Sequence, residues 1–310
     1  MPDIVIQDMI EQATLRSRYD DLDISVLVVR PEGEAKAVLQ LAHGMSGFKE
    51  RFLPFMKFMA EQGVVCVAND HRGHGGSVKN EKDLGYMYDG GKEALIDDMR
   101  GVTEAICREY PEIPVFLLGH SMGSLAARVY AREDDSMLDG LILCGSPGYT
   151  SMAPLGYFIS AFLDAVGLGR WRPKLAYRMT SDLYNHDFES EGPMAWICSD
   201  PHVRKDYIEN PKCGFRFTVN ANKVLMGLMI GAYNHSGHKA GKMDMPVIFL
   251  SGDDDPCTRG ADGLDRAMAA MHEAGYGNIR KKTYPAMRHE VLNEIGKERV
   301  WQDVLDFMNL

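Results

Sequence analysis

The chain has 310 residues, 45% hydrophobic and 25% charged, which suits a folded globular protein with one large core. A net charge of −10 argues against nucleic-acid partners, whose phosphates are bound by clustered Lys and Arg, and against tight electrostatic docking on anionic membranes. Cys66, Cys107, Cys144, Cys198, Cys213 and Cys257 lack C-x-x-C spacing and suggest reduced thiols in a cytoplasmic protein, and the acidic start MPDIVIQDMIEQ does not read as a signal peptide.

Residues 22–30 (LDISVLVVR) and 36–43 (KAVLQLAH) read as short strands around the turn Pro31-Glu32-Gly33. The segment FLPFMKFMAEQG has helical spacing and stops at Gly63. A buried strand, VVCVAND (64–70), leads into a glycine-rich loop that reaches Ser77. Residues 92–109 predict a helix, 114–118 (PVFLL) a buried strand, 122–132 a helix and 138–145 (LDGLILCG) another buried strand. The region 148–240 breaks this alternation: it is helical and aromatic-rich, with Pro193, Pro201 and Pro211 as punctuation. Its stretch MAPLGYFISAFLDAVGL (152–168) is too short for a membrane span and is interrupted by Asp164, so it reads as a helix on an apolar surface. Beyond residue 240 come a strand (PVIFLSG, 246–252), a helix over 261–274, a strand (279–285) and a last helix from near 294.

Apolar runs alternating with helices predict an α/β protein with a mostly parallel, doubly wound sheet. Its core is formed by 1–147 and 241–310, and 148–240 is inserted as a helical cap. Ligands of such sheets bind at the carboxyl ends of the strands.

Gly119-His120-Ser121-Met122-Gly123 lies between a buried strand and a helix, the setting in which a serine on a sharp turn becomes a nucleophile. The helix start behind it offers unpaired N–H groups to a developing oxyanion. A base must follow in the chain. His272 sits in a helical pattern, whereas His289 lies in the loop after the last strand and is the better candidate. The acid belongs in Gly252-Asp253-Asp254-Asp255-Pro256, where spacing alone separates the three carboxylates poorly; Pro256 and depth into the loop favour Asp255. The Met45 N–H, in LAHGMSGF, is the expected second oxyanion donor beside that of Met122.

Other features carry less. His235 and His238 in NHSGHK lack a third ligand, so no metal is expected there, and no cofactor is expected anywhere. The glycines at 73–76 have neither phosphate-loop nor dinucleotide-fingerprint spacing. Of twenty methionines, Met45, Met122, Met152, Met179, Met194, Met226 and Met229 fall near the site or in the cap, where some suit an adaptable apolar pocket. The stretches from Pro154 to Leu163 and from Val224 to Ile230 are expected to cover the strand ends above Ser121 as an apolar funnel whose outer face touches micelles or membrane.

Taken together in this order, HGMSGF, NDHRGHGGS, GHSMGS, GDDDP and YPAMRHE resemble the α/β-hydrolase superfamily, in particular its monoacylglycerol lipase and lysophospholipase-like branch of the serine aminopeptidase S33 type. The likeness runs from about residue 15 to the C-terminus, with 148–240 matching in place and size. It implies Ser121 as nucleophile, His289 as base, Asp255 as acid, Met45 and Met122 as oxyanion donors, and a shaping role for Asp70, Arg72, Gly73 and Gly75. Monoacylglycerol lipases often continue H-G with a small residue and Glu-His, where this chain has Met45-Ser46-Gly47-Phe48. The expected activity is cleavage of carboxylic esters of monoacyl lipids. The alternatives are a carboxylesterase or amidase on small non-lipid substrates, or a hydrolase fold that only binds. An epoxide- or halide-releasing enzyme would carry a carboxylate at Ser121 and is excluded.

Overall fold

The computed structural model describes residues 9–178, 182–234 and 240–310. Among them, strands β1 (Ile10–Arg16), β2 (Asp23–Val29), β3 (Ala37–Ala42), β4 (Val64–Asn69), β5 (Val115–His120), β6 (Gly140–Cys144), β7 (Val247–Gly252) and β8 (Ile279–Tyr284) form one sheet. Their order is β1-β2-β4-β3-β5-β6-β7-β8. The first two pairings are antiparallel and the remainder parallel.

Strand side chains alternate between faces, and the two faces bury different sets. Leu39, Phe116, Leu118 and Leu250 face helices α1 (Leu53–Glu61) and α8 (Glu298–Phe307). Val38, Leu117, Leu143 and Phe249 face α2 (Gly91–Glu109), α3 (Met122–Glu133) and α7 (Gly260–Glu273). The described part of 148–240 contributes no strand; it carries α4 (Ala153–Leu163), α5 (Pro201–Glu209) and α6 (Val219–Tyr233). Helix α6 buries Val224, Leu228 and Met229 in the same cluster as α3, and α4 lies along α6.

Three expectations need correction. Strand β1 falls where no element was foreseen. The last helix begins at Glu298, with residues 294–297 in turns. The funnel does not form from the stretches assigned to it. On α4, Leu155, Phe158, Ile159 and Phe162 are 51%, 70%, 48% and 61% exposed, so its apolar row points to solvent, and α6 uses its own apolar residues against α3.

The glycine-rich loop after β4 is held by buried charge. Arg72 is fully buried; its Nε donates to Asp98 Oδ2 on α2 at 2.9 Å and its Nη1 to Asp20 Oδ2 at 3.1 Å. Nη2 reaches Ser17 Oγ at 3.2 Å, so one guanidinium joins the N-terminal hairpin, the loop and α2. Asp70 accepts from the N–H groups of Lys49 and Gly76 at 2.8 and 2.7 Å, tying the same loop to the segment after β3. Arg72→Met leaves Asp98 buried without its cation and should lower unfolding free energy by about 3–5 kcal/mol. Urea unfolding with an unchanged slope checks this; a loss below about 1 kcal/mol would show that Asp98 finds another partner.

Candidate active site

The chain turns from β5 into α3 at Ser121, whose backbone sits at φ 53°, ψ −120°. A non-glycine residue holds that left-handed φ only where its surroundings enforce it. Here the Ser121 N–H donates to Cys144 O at 3.0 Å, while its carbonyl accepts from the Ser124 N–H at 2.8 Å and Ser124 Oγ at 2.6 Å. The flanking glycines are steric requirements. A Cβ on Gly123 would lie 2.1 Å from Ala42 O, and one on Gly119 would lie 2.4 Å from Gly123 O.

The loops after β7 and β8 bring two partners to this serine. Asp255 Oδ1 accepts from the Cys257 N–H at 2.8 Å, leaving Oδ2 for His289 Nδ1 at 3.0 Å. His289 Nε2 lies 2.8 Å from Ser121 Oγ. Because a carboxylate only accepts, Nδ1 carries the imidazole proton and Nε2 is left to accept from the serine hydroxyl. Both side chains are almost wholly buried, at 0% exposure for Asp255 and 4% for His289. Asp253 and Asp254 point to solvent, so only Asp255 among the three acids meets the histidine.

The loop after β3 lies against the serine: a Cβ on Gly44 would sit 3.0 Å from Ser121 Cβ. Among the described residues, the N–H groups of Met45 and Met122 donate to no protein acceptor. Two buried imidazoles brace this loop. His43 Nδ1 donates to Gly44 O at 2.8 Å and its Nε2 accepts from the His71 N–H at 2.9 Å. His74 Nε2 accepts from the Ser46 N–H at 3.3 Å and its Nδ1 donates to Arg72 O at 3.1 Å. Burial, then repulsion from neighbouring imidazoles (His74 on His43, His43 and His74 on His71), push His43 and His71 well below the ordinary imidazole range. Burial brings His74 down to about 4 and, with repulsion from His289, His120 to about 3.

A cavity of about 60 Å³ opens over Ser121 and His289, with Phe48, Met194, Trp196 and Tyr207 as apolar walls. Arg51, Glu290 and Asn293 add polar groups to its lining. Arg51 pairs with Glu290 and lies 5.0 Å over the Tyr207 ring; Asn293 Nδ2 donates to Glu290 Oε2 at 3.0 Å. Burial works against the Glu290 anion, but Arg51 and His120 outweigh it and leave the carboxyl below its ordinary value. Sequence reasoning found Met45 and Met194 among the lining but missed Arg51, Trp196, Tyr207 and Glu290. The adjacency of Glu290 to His289 was the only local signal for any of them. Met152 is 53% exposed, and Met179, His235 and His238 lie outside the described residues. Among the described residues, ligand-type atoms gather at Asp255, Cys257 and His289, where Oδ2 and Nδ1 already share a hydrogen bond.

This sheet, with a serine on the strained turn after β5, defines an α/β hydrolase. The chain belongs to the serine aminopeptidase S33 family, which matches residues 33–296. It is 24% identical to the monoacylglycerol lipase of Mycolicibacterium smegmatis over 284 residues, 90% of each chain. It is 29% identical to the monoglyceride lipase of Rattus norvegicus, covering 86% of this chain and 83% of that one. Among solved structures it resembles a thermostable carboxyl esterase from Bacillus coagulans, with a TM-score of 0.86 and 25% identity over 97% of this chain and 98% of that one. The fold is shared too with a soluble variant of the Saccharomyces cerevisiae monoglyceride lipase, at a TM-score of 0.74 and 18% identity over 99% and 98% of the two chains. The protein is therefore a monoglyceride-lipase-like α/β hydrolase. Among the described residues, no helix is long and apolar enough to cross a membrane.

The imidazole cluster makes stability depend on pH. Unfolded histidine titrates near 6.5, above the folded values of His43, His71, His74 and His120. Below that pH the unfolded chain binds more protons than the fold. Stabilisation is thus complete above about pH 6.5 and falls with acidification, by up to about 1.4 kcal/mol per pH unit for each histidine still neutral in the fold. Urea midpoints should drop steeply from pH 7 to pH 5; equal midpoints would mean that the imidazoles take up protons without resistance.

Proposed function

We propose that the protein is a serine hydrolase that cleaves carboxylic esters of monoacyl lipids, monoacylglycerol or lysophospholipid, through an acyl-enzyme. The hydrogen-bonded series from Ser121 Oγ to His289 at 2.8 Å and on to Asp255 at 3.0 Å, beside the cavity, carries this reading. Ser121 Oγ attacks the ester carbonyl as its proton passes to His289 Nε2; the oxyanion is held by the Met45 and Met122 N–H groups. As the carbonyl re-forms, the bond to the alcohol breaks and Nε2 returns the proton to the departing oxygen. Water then enters and attacks the acyl carbon as its proton passes to Nε2; the bond to Ser121 Oγ breaks, Nε2 gives that proton to Oγ, and the acid leaves. Asp255 keeps the imidazole in the productive tautomer and offsets its charge while protonated. No metal or cofactor takes part.

Two features favour a lipid ester. The cavity combines apolar walls with the polar groups of Arg51, Glu290 and Asn293, which suits a substrate with an acyl chain and a hydrophilic head. Outside it, Leu155, Phe158, Ile159 and Phe162 form an exposed apolar row on α4, continued by Val166 and Trp171 at 56% and 54% exposure. Such a row suits transient contact with a micelle or membrane surface rather than insertion through it. The likeness to a carboxyl esterase and the small free volume over Ser121 favour a second reading, in which short soluble esters are the substrates.

Ser121→Ala should keep the fold and lose ester turnover by several orders of magnitude. Asp255→Asn should cost far more than Asp253→Asn or Asp254→Asn. Steady-state kinetics on a soluble p-nitrophenyl ester decide both; near-normal hydrolysis by Ser121→Ala removes the assigned nucleophile, and equal losses at the three acids remove the assigned acid. Replacing Phe158 and Phe162 together by Ser should depress kcat/KM on micellar monoacylglycerol at least several-fold and leave the soluble ester within about twofold, since each exposed ring contributes apolar area only at an interface. Equal loss on both substrates would argue against surface contact through α4, and wild-type preference for short soluble esters would favour the second reading.

A further inference from the structure

Two rings approach the His289 imidazole. His120 lies with ring centroids 4.8 Å apart, and Trp196 at 5.0 Å with the planes 38° apart. Trp196 comes from the inserted segment and is only 7% exposed. Its stretch is sewn to the loop that carries His289. Arg288 Nη1 donates to Ala195 O at 2.7 Å, the Glu290 N–H to Ile197 O at 2.8 Å and the Ser199 N–H to Glu294 Oε1 at 2.7 Å. The Tyr184 ring, 5.1 Å away, backs the indole.

The indole nitrogen shows what this residue is not for. Trp196 Nε1 is buried without an acceptor, whereas Trp301 Nε1 donates to Leu292 O at 2.9 Å. Burying an N–H unpaired is unfavourable, and phenylalanine would fill much of the same space without that cost. What the indole supplies beyond volume is the most electron-rich ring among the side chains, its centroid 5.0 Å from that of the His289 imidazole. A cation within about 6 Å of such a ring is stabilised, most strongly where water is excluded.

We propose that Trp196 is a positioning residue for the base: its ring face stabilises the imidazolium that His289 becomes on taking the Ser121 proton, in both halves of the reaction. This rests on the proposed roles of Ser121 and His289. No bond is made or broken at Trp196, and the proton moves only between Ser121 Oγ, His289 Nε2 and the alcohol or water oxygen. Around His289 stand Asp255 and Cys257 after β7, His120 at the end of β5, and Glu290 with Arg51. All of them are retained when Trp196 alone is changed.

The experiment compares full-length wild type with Trp196→Leu and Trp196→Phe on a soluble p-nitrophenyl ester across pH, with thermal unfolding and fluorophosphonate labelling of Ser121 alongside. In Trp196→Leu, kcat should fall about tenfold with KM within about twofold, and the acidic limb of kcat/KM should move toward lower pH. Trp196→Phe should lie between the two, because a weaker ring face remains; it serves alone if the leucine variant does not fold. The proposal is overturned if kcat stays within about twofold of wild type in folded variants. It is equally overturned if the loss appears in KM alone, which would mark the indole as a substrate contact, or if Leu and Phe lose equally with the limb unmoved, which would mark it as packing. Should wild type itself fail to label at Ser121, the reading of the site falls and this inference with it; labelling with unaffected variants removes only the role of Trp196.

Discussion

The turn between β5 and α3 presses the first turn of a helix onto the carboxyl end of a neighbouring strand, and much of the site follows from that contact. Gly123 lies so close to the Ala42 carbonyl that any side chain would collide, which fixes the start of α3 beside the loop after β3. Ser121 then has to take a left-handed φ, at a cost on the order of 1–3 kcal/mol. The surrounding order offsets this: its N–H is held by Cys144 O on β6, and its carbonyl is held by Ser124. With the turn so placed, the free N–H groups of Met45 and Met122 belong to two elements already locked against each other. The buried imidazoles extend the lock. His43 and His74 each use one nitrogen as donor and the other as acceptor, so the neutral form is the one that fits.

Strong local rules were legible in the sequence. Buried parallel strands such as 64–70 announce themselves by unbroken apolar runs, and the turn at Ser121 by glycines for which no other residue fits. The edge strand β1 was not legible, because IEQATLR alternates only weakly and stays half exposed against a single neighbour. Among the three acids, spacing was nearly silent. The choice is made by the Cys257 N–H, which holds Asp255 Oδ1 and turns Oδ2 toward His289, a contact between loops that no linear pattern encodes. The funnel was misjudged for a related reason. Composition shows that a helix is apolar, not which of its faces finds a partner, and α4 meets α6 while leaving Phe158 and Phe162 outside.

Trp196 illustrates the same limit on the functional side. MAWICSD has no periodicity and no motif, and the relation of its tryptophan to His289 exists because several hydrogen bonds join two segments about 90 positions apart in the sequence. Arg288 and Glu294 look like an ordinary charged surface pair when read in order. In the fold both are buried, at 7% and 1% exposure, and both act on the inserted segment.

The stretch between β6 and β7 is therefore held at two separate places. Residues 195–199 are hydrogen-bonded to the His289 loop, which carries the indole and the imidazole on one connected unit. Helix α4 is bound elsewhere, along α6, and α6 is anchored in the sheet-facing core with α3. The exposed row on α4, which would meet a lipid surface under the proposed function, is thus joined to α6 rather than to the stretch that carries the ring beside His289. Under the two proposals, surface contact and proton transfer then rest on separate residues, Phe158 and Phe162 for one and Trp196 for the other. A cap that moved as one rigid plate would not allow that separation.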